Sequence, residues 1–427
     1  MHIDNTTQKD LDVFGSGGLF GLIDHTSTAA GSAALKRRLE RPMMDVADIR
    51  RMQESVTFLI RHPHLVRLSP AAVDAVGRYI ESNIVIDDRR SLPASLEYAW
   101  MAVRYRDLLN EIAEGVRATV SLFSHIDRVC TSIAEQGAPR VLADLTAEIR
   151  VTARAVVRAC SDGTVLDADR RIRSGLRNEI AHALGLIGEL DAVNSMATAS
   201  AASGWVMPEL VESDTFVLDA EGLYHPHIPG AVRNPCRLSG GEPMVFLTGP
   251  NMAGKTTYLR SVGLVVLLAQ IGMAVPATRV RLSPVEALFT SLNPVDNLRA
   301  GLSYFLAEVM RVKEAATILA EGRRALVIFD EVFKGTNVRD ALDASAEVIL
   351  GFANARRSGI IFSSHLVELV STLESHRAIR FCCFDGDIVD GAPRYSYELQ
   401  EGVSDKRFGL LLLRQAEVPQ LIRRISA

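Results

Sequence analysis

Residues Met244–Arg260 read MVFLTGPNMAGKTTYLR. The apolar run Val245, Phe246, Leu247 ends in Thr248. Gly249, four residues, Gly254, Lys255 and Thr256 then complete the pattern G-x-x-x-x-G-K-[ST]. Its surroundings suit the pattern. The apolar run predicts a buried strand leading in, and Leu259, Val262, Val266 and Leu267 recur at helical spacing leading out. Glycines let the backbone curl so that its N–H groups converge on phosphate oxygens, and the helix N-terminus adds the positive end of its dipole. In that setting Lys255 reaches the β- and γ-phosphates of a nucleotide, and the Thr256 hydroxyl ligates Mg²⁺.

Downstream, Ala325–Thr336 reads ALVIFDEVFKGT. Four apolar residues end in Asp330 and Glu331, the Walker B arrangement of a buried strand tipped with two acids. Asp330 is expected in the Mg²⁺ shell, and Glu331 as the group that orients or deprotonates attacking water. A third run, Gly359–Phe362, ends in Ser363, Ser364 and His365. His365 at that strand end suits a γ-phosphate sensor. The stretch Asp296–Phe305, DNLRAGLSYF, reads as a loop entering a helix that carries Glu308, Met310 and Val312. A serine there could bind an anion through its hydroxyl and the free N–H groups. Short apolar runs alternating with helices predict an α/β domain from residue 204 to 427.

Residues 1–203 differ. After Asp45 the pattern is helical almost throughout, with helices expected over Leu92–Glu114, Arg140–Arg158 and Thr164–Asn194, the last two joined at Ser161-Asp162-Gly163. The boundary is expected near Ser200–Gly204. Two basic clusters stand out, Lys36-Arg37-Arg38 with Arg41, and Arg170, Arg171, Arg173 and Arg177. Each is either a solvated helix face or a contact to a phosphate backbone. His125 and His182 are isolated and read as structural.

The chain has 427 residues, 48% hydrophobic and 23% charged, with a formal charge of −4. This is ordinary globular composition, and charge is close to balanced on either side of Trp205. Any nucleic-acid surface is therefore a local patch. Cys130, Cys160, Cys236, Cys382 and Cys383 form no C-x-x-C pair, which argues against a zinc site or a disulfide framework. The polar N-terminus carries no signal-peptide pattern, and no apolar run suits a membrane span, so a cytoplasmic location and no membrane partner are expected.

Taken together, TGPNMAGKTTYLR, IGMAVPA, DEVFKGT, SSHLVEL and GVSDKRFGL resemble the MutS family of DNA mismatch-repair ATPases, and Asp296–Phe305 resembles that family's signature loop. Upstream, TTQKDLDVF and GLIDHTSTAAGSAALKRRLERPMMD resemble the start of its helical core, or lever, domain. The resemblance implies an α + α/β architecture, an all-α lever domain followed by an ABC-type P-loop ATPase domain. It implies that Gly249, Pro250, Asn251, Met252, Ala253, Gly254, Lys255, Thr256 and Thr257 bind ATP phosphates, with Asn251 near the γ-phosphate. Thr256 and Asp330 serve Mg²⁺, while Glu331, His365 and Lys255 serve hydrolysis. Ser303 matches the signature serine that reaches the nucleotide of a partner subunit, which implies a homodimer with composite ATP sites. Tyr397 falls where an aromatic ring packs on adenine, and His225-Pro226 matches a structural His-Pro. Ala253, Phe333-Lys334, Ser364 and Tyr304 depart from the family's usual residues. The resemblance starts at the core domain, so a relative without the mismatch-reading domain is expected. It would bind distorted or branched DNA through backbone contacts and switch with ATP hydrolysis. The alternative is an ATP-driven switch that acts on a protein partner without binding DNA.

Overall fold

The computed structural model describes residues 1–82, 98, 100, 101, 103–292, 304–389, 392–406 and 408–425. They form a mixed helical and α/β structure in two compact units, residues 1–21, 39–50 and 203–427 in one, and residues 22–38 and 51–202 in the other.

The first unit is built on the strands β1 (His2–Ile3), β2 (Glu209–Leu210), β3 (Val217–Leu223), β4 (Asn234–Ser239), β5 (Met244–Thr248), β6 (Arg279–Leu282), β7 (Ala287–Ser291), β8 (Ala325–Asp330), β9 (Gly359–Ser363), β10 (Ile379–Val389) and β11 (Ala392–Glu401). Among the described residues, one sheet has the order β1-β7-β8-β9-β5-β10-β11, and a smaller one the order β2-β6-β3-β4. Neighbours in the larger sheet run parallel, except β10 and β11. Its central strands are buried at every position. That explains why they read as unbroken apolar runs: a parallel sheet is covered on both faces. Phe246, Phe289, Phe329 and Phe362 form its core. The register pairs Leu247 with Ser363 and Ser363 with Asp330. The ends of β5, β9 and β8 therefore lie side by side, where ligands bind in open parallel sheets.

The division differs from the one expected. Residues 1–21 pack with the sheet unit, not with the helices. β1 pairs with β7, and Asp4 caps the helix Asn5–Asp10 by accepting the Thr7 N–H at 2.6 Å. Buried Asp10 accepts the Thr290 hydroxyl at 2.8 Å and the Leu292 N–H at 2.9 Å. Arg311 Nη1 lies 2.6 Å from Asp4 Oδ2, and its guanidinium sits 3.7 Å over the Phe289 ring. These polar partners fix the segment to β7 across nearly the whole sequence.

In the helical unit, Asp191 is buried and accepts from Ser27 N, Thr28 N and Thr28 Oγ1, at 2.9, 2.8 and 2.8 Å to Oδ2. Arg106–Glu135 and Arg140–Ala159 are the long helices of an antiparallel hairpin. The helix expected to end at Glu114 continues through Gly115, against which the Tyr79 ring packs, because Val116, Leu122, Phe123, Ile126, Val129 and Ile133 keep one face buried as far as the turn at Gly137. Residues 92–97, 99 and 102 of that expectation lie outside the described residues, and Tyr105, with φ −135° and ψ 48°, separates what precedes it from the helix that opens at Arg106. The helix expected over Thr164–Asn194 opens at Val165, passes through a π-helical turn at Arg171–Leu176 and runs on to Ser203.

The basic clusters are largely committed within this unit. Arg37 and Arg38 both pair with Glu189, at 2.9 and 2.7 Å. Arg173 donates to buried Asp169 at 2.7 Å and to Ser82, and stacks on Tyr79, whose hydroxyl also donates to Asp169. Arg171 donates to Ala159 O and Asp162 O, while Arg177 is exposed. His125 lies 2.7 Å from Arg67 O and His182 2.7 Å from Glu148.

Candidate functional site

The loop after β5 folds as its sequence requires. Gly249 has φ 139° and Gly254 φ 100°, backbone that favours glycine. A Cβ on Gly249 would sit 2.4 Å from the Phe384 carbonyl oxygen of β10. Met252 also has positive φ, 70°, and points outward with its side chain exposed, while Pro250 and Ala253 are buried. The loop ends at the helix Lys255–Gln270, whose first N–H groups face the loop.

Lys255 is 5% exposed, and its ammonium donates to Gly249 O at 2.8 Å and Pro250 O at 3.2 Å. Its third neighbour is Glu331, 3.5 Å away. The Thr256 hydroxyl donates to Asp330 Oδ2 at 2.5 Å. This bond ties the loop after β5 to the end of β8. Glu331 follows with φ 52°, its N–H donating to Ser363 O at 2.8 Å. That turn aims its carboxylate at two ammonium groups and an imidazole: Lys334 Nζ at 2.5 Å, Lys255 Nζ at 3.5 Å, and His365 Nδ1 at 3.8 Å. Burial alone would raise the Glu331 carboxyl, but Lys334, Lys255 and His365 hold it below the usual carboxylate range.

Asp330 is buried, and its Oδ1 has no hydrogen-bond partner among the described residues. A buried carboxylate oxygen without a donor calls for a cation or water. With the Thr256 hydroxyl beside it, this donor set fits Mg²⁺, which takes few protein oxygens and completes its shell with water and phosphate. Among the described residues no group of three or more His, Cys, Asp or Glu could hold a metal by itself.

Beside the loop lies a cavity of about 570 Å³. Pro250, Asn251, Met252, Gly254, Lys255, Thr256 and Thr257 line one side, and His225, Ile228, Val232, Asn234 and Tyr397 another. Tyr397 has φ 57°, and its ring approaches Gly254 so closely that a Cβ there would stand 3.2 Å from it. Asn234 fixes this strand by donating to Tyr397 O at 2.9 Å and accepting from Leu399 N at 2.7 Å. Burial, with His227 and Arg260 nearby, lowers the His225 imidazole to about 4, so it is neutral at pH 7. A second cavity of about 560 Å³ opens on the other side of Glu331, lined by Asn251, Lys334, His365, Ser404 and Lys406 among others.

The structure thus brings together every residue expected at the site except Ser303, which lies outside the described residues with most of Asp296–Phe305. Sequence reasoning passed over Lys334 as a mere departure and gave Asn234 and Lys406 no part. Lys334 carried a signal, a cation three residues after Glu331; Asn234 carried none.

The comparisons with known proteins agree with this picture. The sequence matches MutS domain V over residues 245–426 and MutS domain III over residues 2–81. It is 32% identical over 248 residues to the DNA mismatch repair protein MutS of Bacillus cytotoxicus, covering 56% of this chain and 27% of that one. It is likewise 32% identical over 276 residues to the MutS of Cereibacter sphaeroides, 60% of this chain and 30% of the relative. MutS 1 of Halobacterium salinarum is 32% identical over 262 residues, 60% and 29% of the two chains. The chain thus spans under a third of the length of the relatives it matches. With domain III at its start and domain V carrying the Lys255–Asp330–Glu331 site, the chain belongs to the MutS family.

Proposed function

We propose that this chain is a Mg²⁺-dependent ATPase of the ABC type. The observation that carries the reading is the convergence of Lys255, Thr256, Asp330, Glu331 and His365 at the adjacent ends of β5, β8 and β9. The loop N–H groups from Gly249 to Thr257 and the Lys255 ammonium hold the phosphates of ATP. Thr256 and Asp330 hold Mg²⁺, which when bound neutralises phosphate charge. Glu331, kept ionised by Lys334 and Lys255, orients the attacking water and takes its proton. His365, beside Glu331 at the end of β9, would sense the γ-phosphate. Tyr397, Ile228 and Val232 form an apolar, aromatic wall for the adenine ring. The working unit is a homodimer with composite ATP sites, as the MutS relationship supports. Closing and opening of that dimer with ATP binding and hydrolysis is the switch.

The ligand of the switch is DNA, distorted or branched and held by its backbone; the MutS relationship supports this. Steady-state ATPase of the purified protein against homoduplex, mismatched, four-way-junction and single-stranded DNA tests it, with Glu331→Ala as background. Stimulation by one form supports the reading. Its binding must also weaken as salt rises.

A second reading has an observation of its own. Arg37, Arg38, Arg171 and Arg173 are occupied by Glu189, Asp169 and backbone carbonyls. A switch acting on a protein partner needs no basic face, and Glu331-dependent turnover indifferent to every DNA form would favour it.

A further inference from the structure

Glu308 has no part in the reading above, yet it is completely buried, 0% exposed, on the helix Tyr304–Ala320. Its two carboxylate oxygens accept from successive backbone amides: Oε1 from Lys334 N at 3.3 Å and Oε2 from Gly335 N at 3.2 Å. Burying a carboxylate costs free energy unless such donors meet it. The donors here are the amides of the turn leaving β8. In that turn two non-glycine residues, Glu331 and Phe333, have left-handed backbone, φ 52° and 68°. Side chains resist this conformation, and it persists only where the surroundings impose it. The same helix grips the turn a second time, through Phe305 against Phe333, ring centroids 5.9 Å apart. It is itself anchored to β7 on another side, where Arg311 Nη2 donates to Thr290 O at 2.6 Å.

We propose that Glu308 is a positioning residue for Glu331: by receiving the Lys334 and Gly335 amides it imposes the turn that aims the Glu331 carboxylate at Lys255 and His365. A shift of the helix Tyr304–Ala320 then moves the hydrolytic carboxylate without touching the phosphate-binding loop. Burial raises the Glu308 carboxyl above the usual carboxylate range, and the amides of Gly335, Lys334 and Phe333 offset only part of that rise.

The inference rests on the ATPase reading of the site, and the experiment separates the two. Glu308→Gln keeps the shape and presents an N–H₂ to one of the two amides. In the full chain it should lower kcat about tenfold or more, the scale of a misplaced base, with KM for ATP within about twofold. Amide exchange at Lys334 and Gly335 should speed up. In a Glu331→Gln background, single-turnover hydrolysis should fall no further when Glu308→Gln is added. Glu308→Asp keeps the charge and should recover part of kcat; it also stands in should the Gln variant fold poorly. An unchanged kcat, an equal extra loss in the Glu331→Gln background, or no recovery with Asp overturns the proposal. Absence of ATPase in the unmodified protein, or turnover that ignores Glu331→Gln, overturns the underlying reading instead.

Discussion

Lys334 Nζ lies 2.5 Å from Glu331 Oε2, closer to that carboxylate than Lys255 or the His365 imidazole. The pair sets the pH range of the site. Burial pushes the Glu331 carboxyl up, and Lys334, then Lys255 and His365, bring it below its ordinary value. The ionised form therefore persists as pH falls and is lost only on passing below the usual carboxylate range. Lys334→Met removes the strongest of these pulls. The acid limb of kcat/KM against pH should move to higher pH, with little change above neutrality, where Glu331 stays ionised in both proteins. A limb that stays in place would show that Lys334 does not govern Glu331.

Asp330 has one oxygen on Thr256 and one without a partner among the described residues. Asp330→Asn retains an acceptor for the Thr256 hydroxyl and removes the charge. The Mg²⁺ concentration for half-maximal ATPase should rise by roughly tenfold or more, as when a metal site loses a supporting group. Chelation with EDTA should abolish turnover in both proteins. Equal Mg²⁺ titrations would remove Asp330 from the metal shell.

Gly249→Ala places a Cβ 2.4 Å from a backbone oxygen of β10, at φ 139°. Neither the sheet nor the loop can yield cheaply. Urea unfolding should show a loss of about 2–4 kcal/mol from combined overpacking and backbone strain. A loss within about 0.5 kcal/mol, the range of ordinary surface changes, would mean that the loop relaxes freely.

Asp191→Ala tests the helical unit independently of nucleotide. It strips the acceptor from Ser27 N, Thr28 N and Thr28 Oγ1. Each buried donor left unpaired costs about 1–3 kcal/mol. Thermal unfolding should show a loss of about 3 kcal/mol or more, while Asp191→Asn, which restores one acceptor oxygen, should lose less. Equal effects would show that packing matters there more than hydrogen bonding.

The central strands were legible in the sequence for a physical reason: a strand covered on both faces must be apolar throughout, as in Val245–Leu247, Leu326–Phe329 and Ile360–Phe362. The polar residues closing those runs were legible too, because apolar strands end in such groups only where something binds them. Glu308 was visible only as one acid on a helix, since its partners are backbone amides, which no side-chain pattern announces. Likewise nothing in the sequence marks Asp4 or Asp10, whose partners Arg311 and Thr290 lie about 280–310 residues away. Arg37 and Arg173 look like free cations in sequence and turn out to be paired, because their carboxylates lie on distant turns or beneath a buried tyrosine.

The placement of residues 1–21 in the sheet unit bears on synthesis. His2 and Ile3 are synthesised about 285 residues ahead of their partners Ala287 and Leu288, an interval of roughly 15–60 s at ordinary elongation rates. Through that wait Leu11 and Val13, which end fully buried, have no finished core to enter. A fragment begun at Ser203 would meet the converse problem. The β7 backbone would be left as an open edge, and Leu11 would be missing from its place against Gly263. The sheet unit is thus not a detachable module: β7 is covered only when residues 1–21 lie against it.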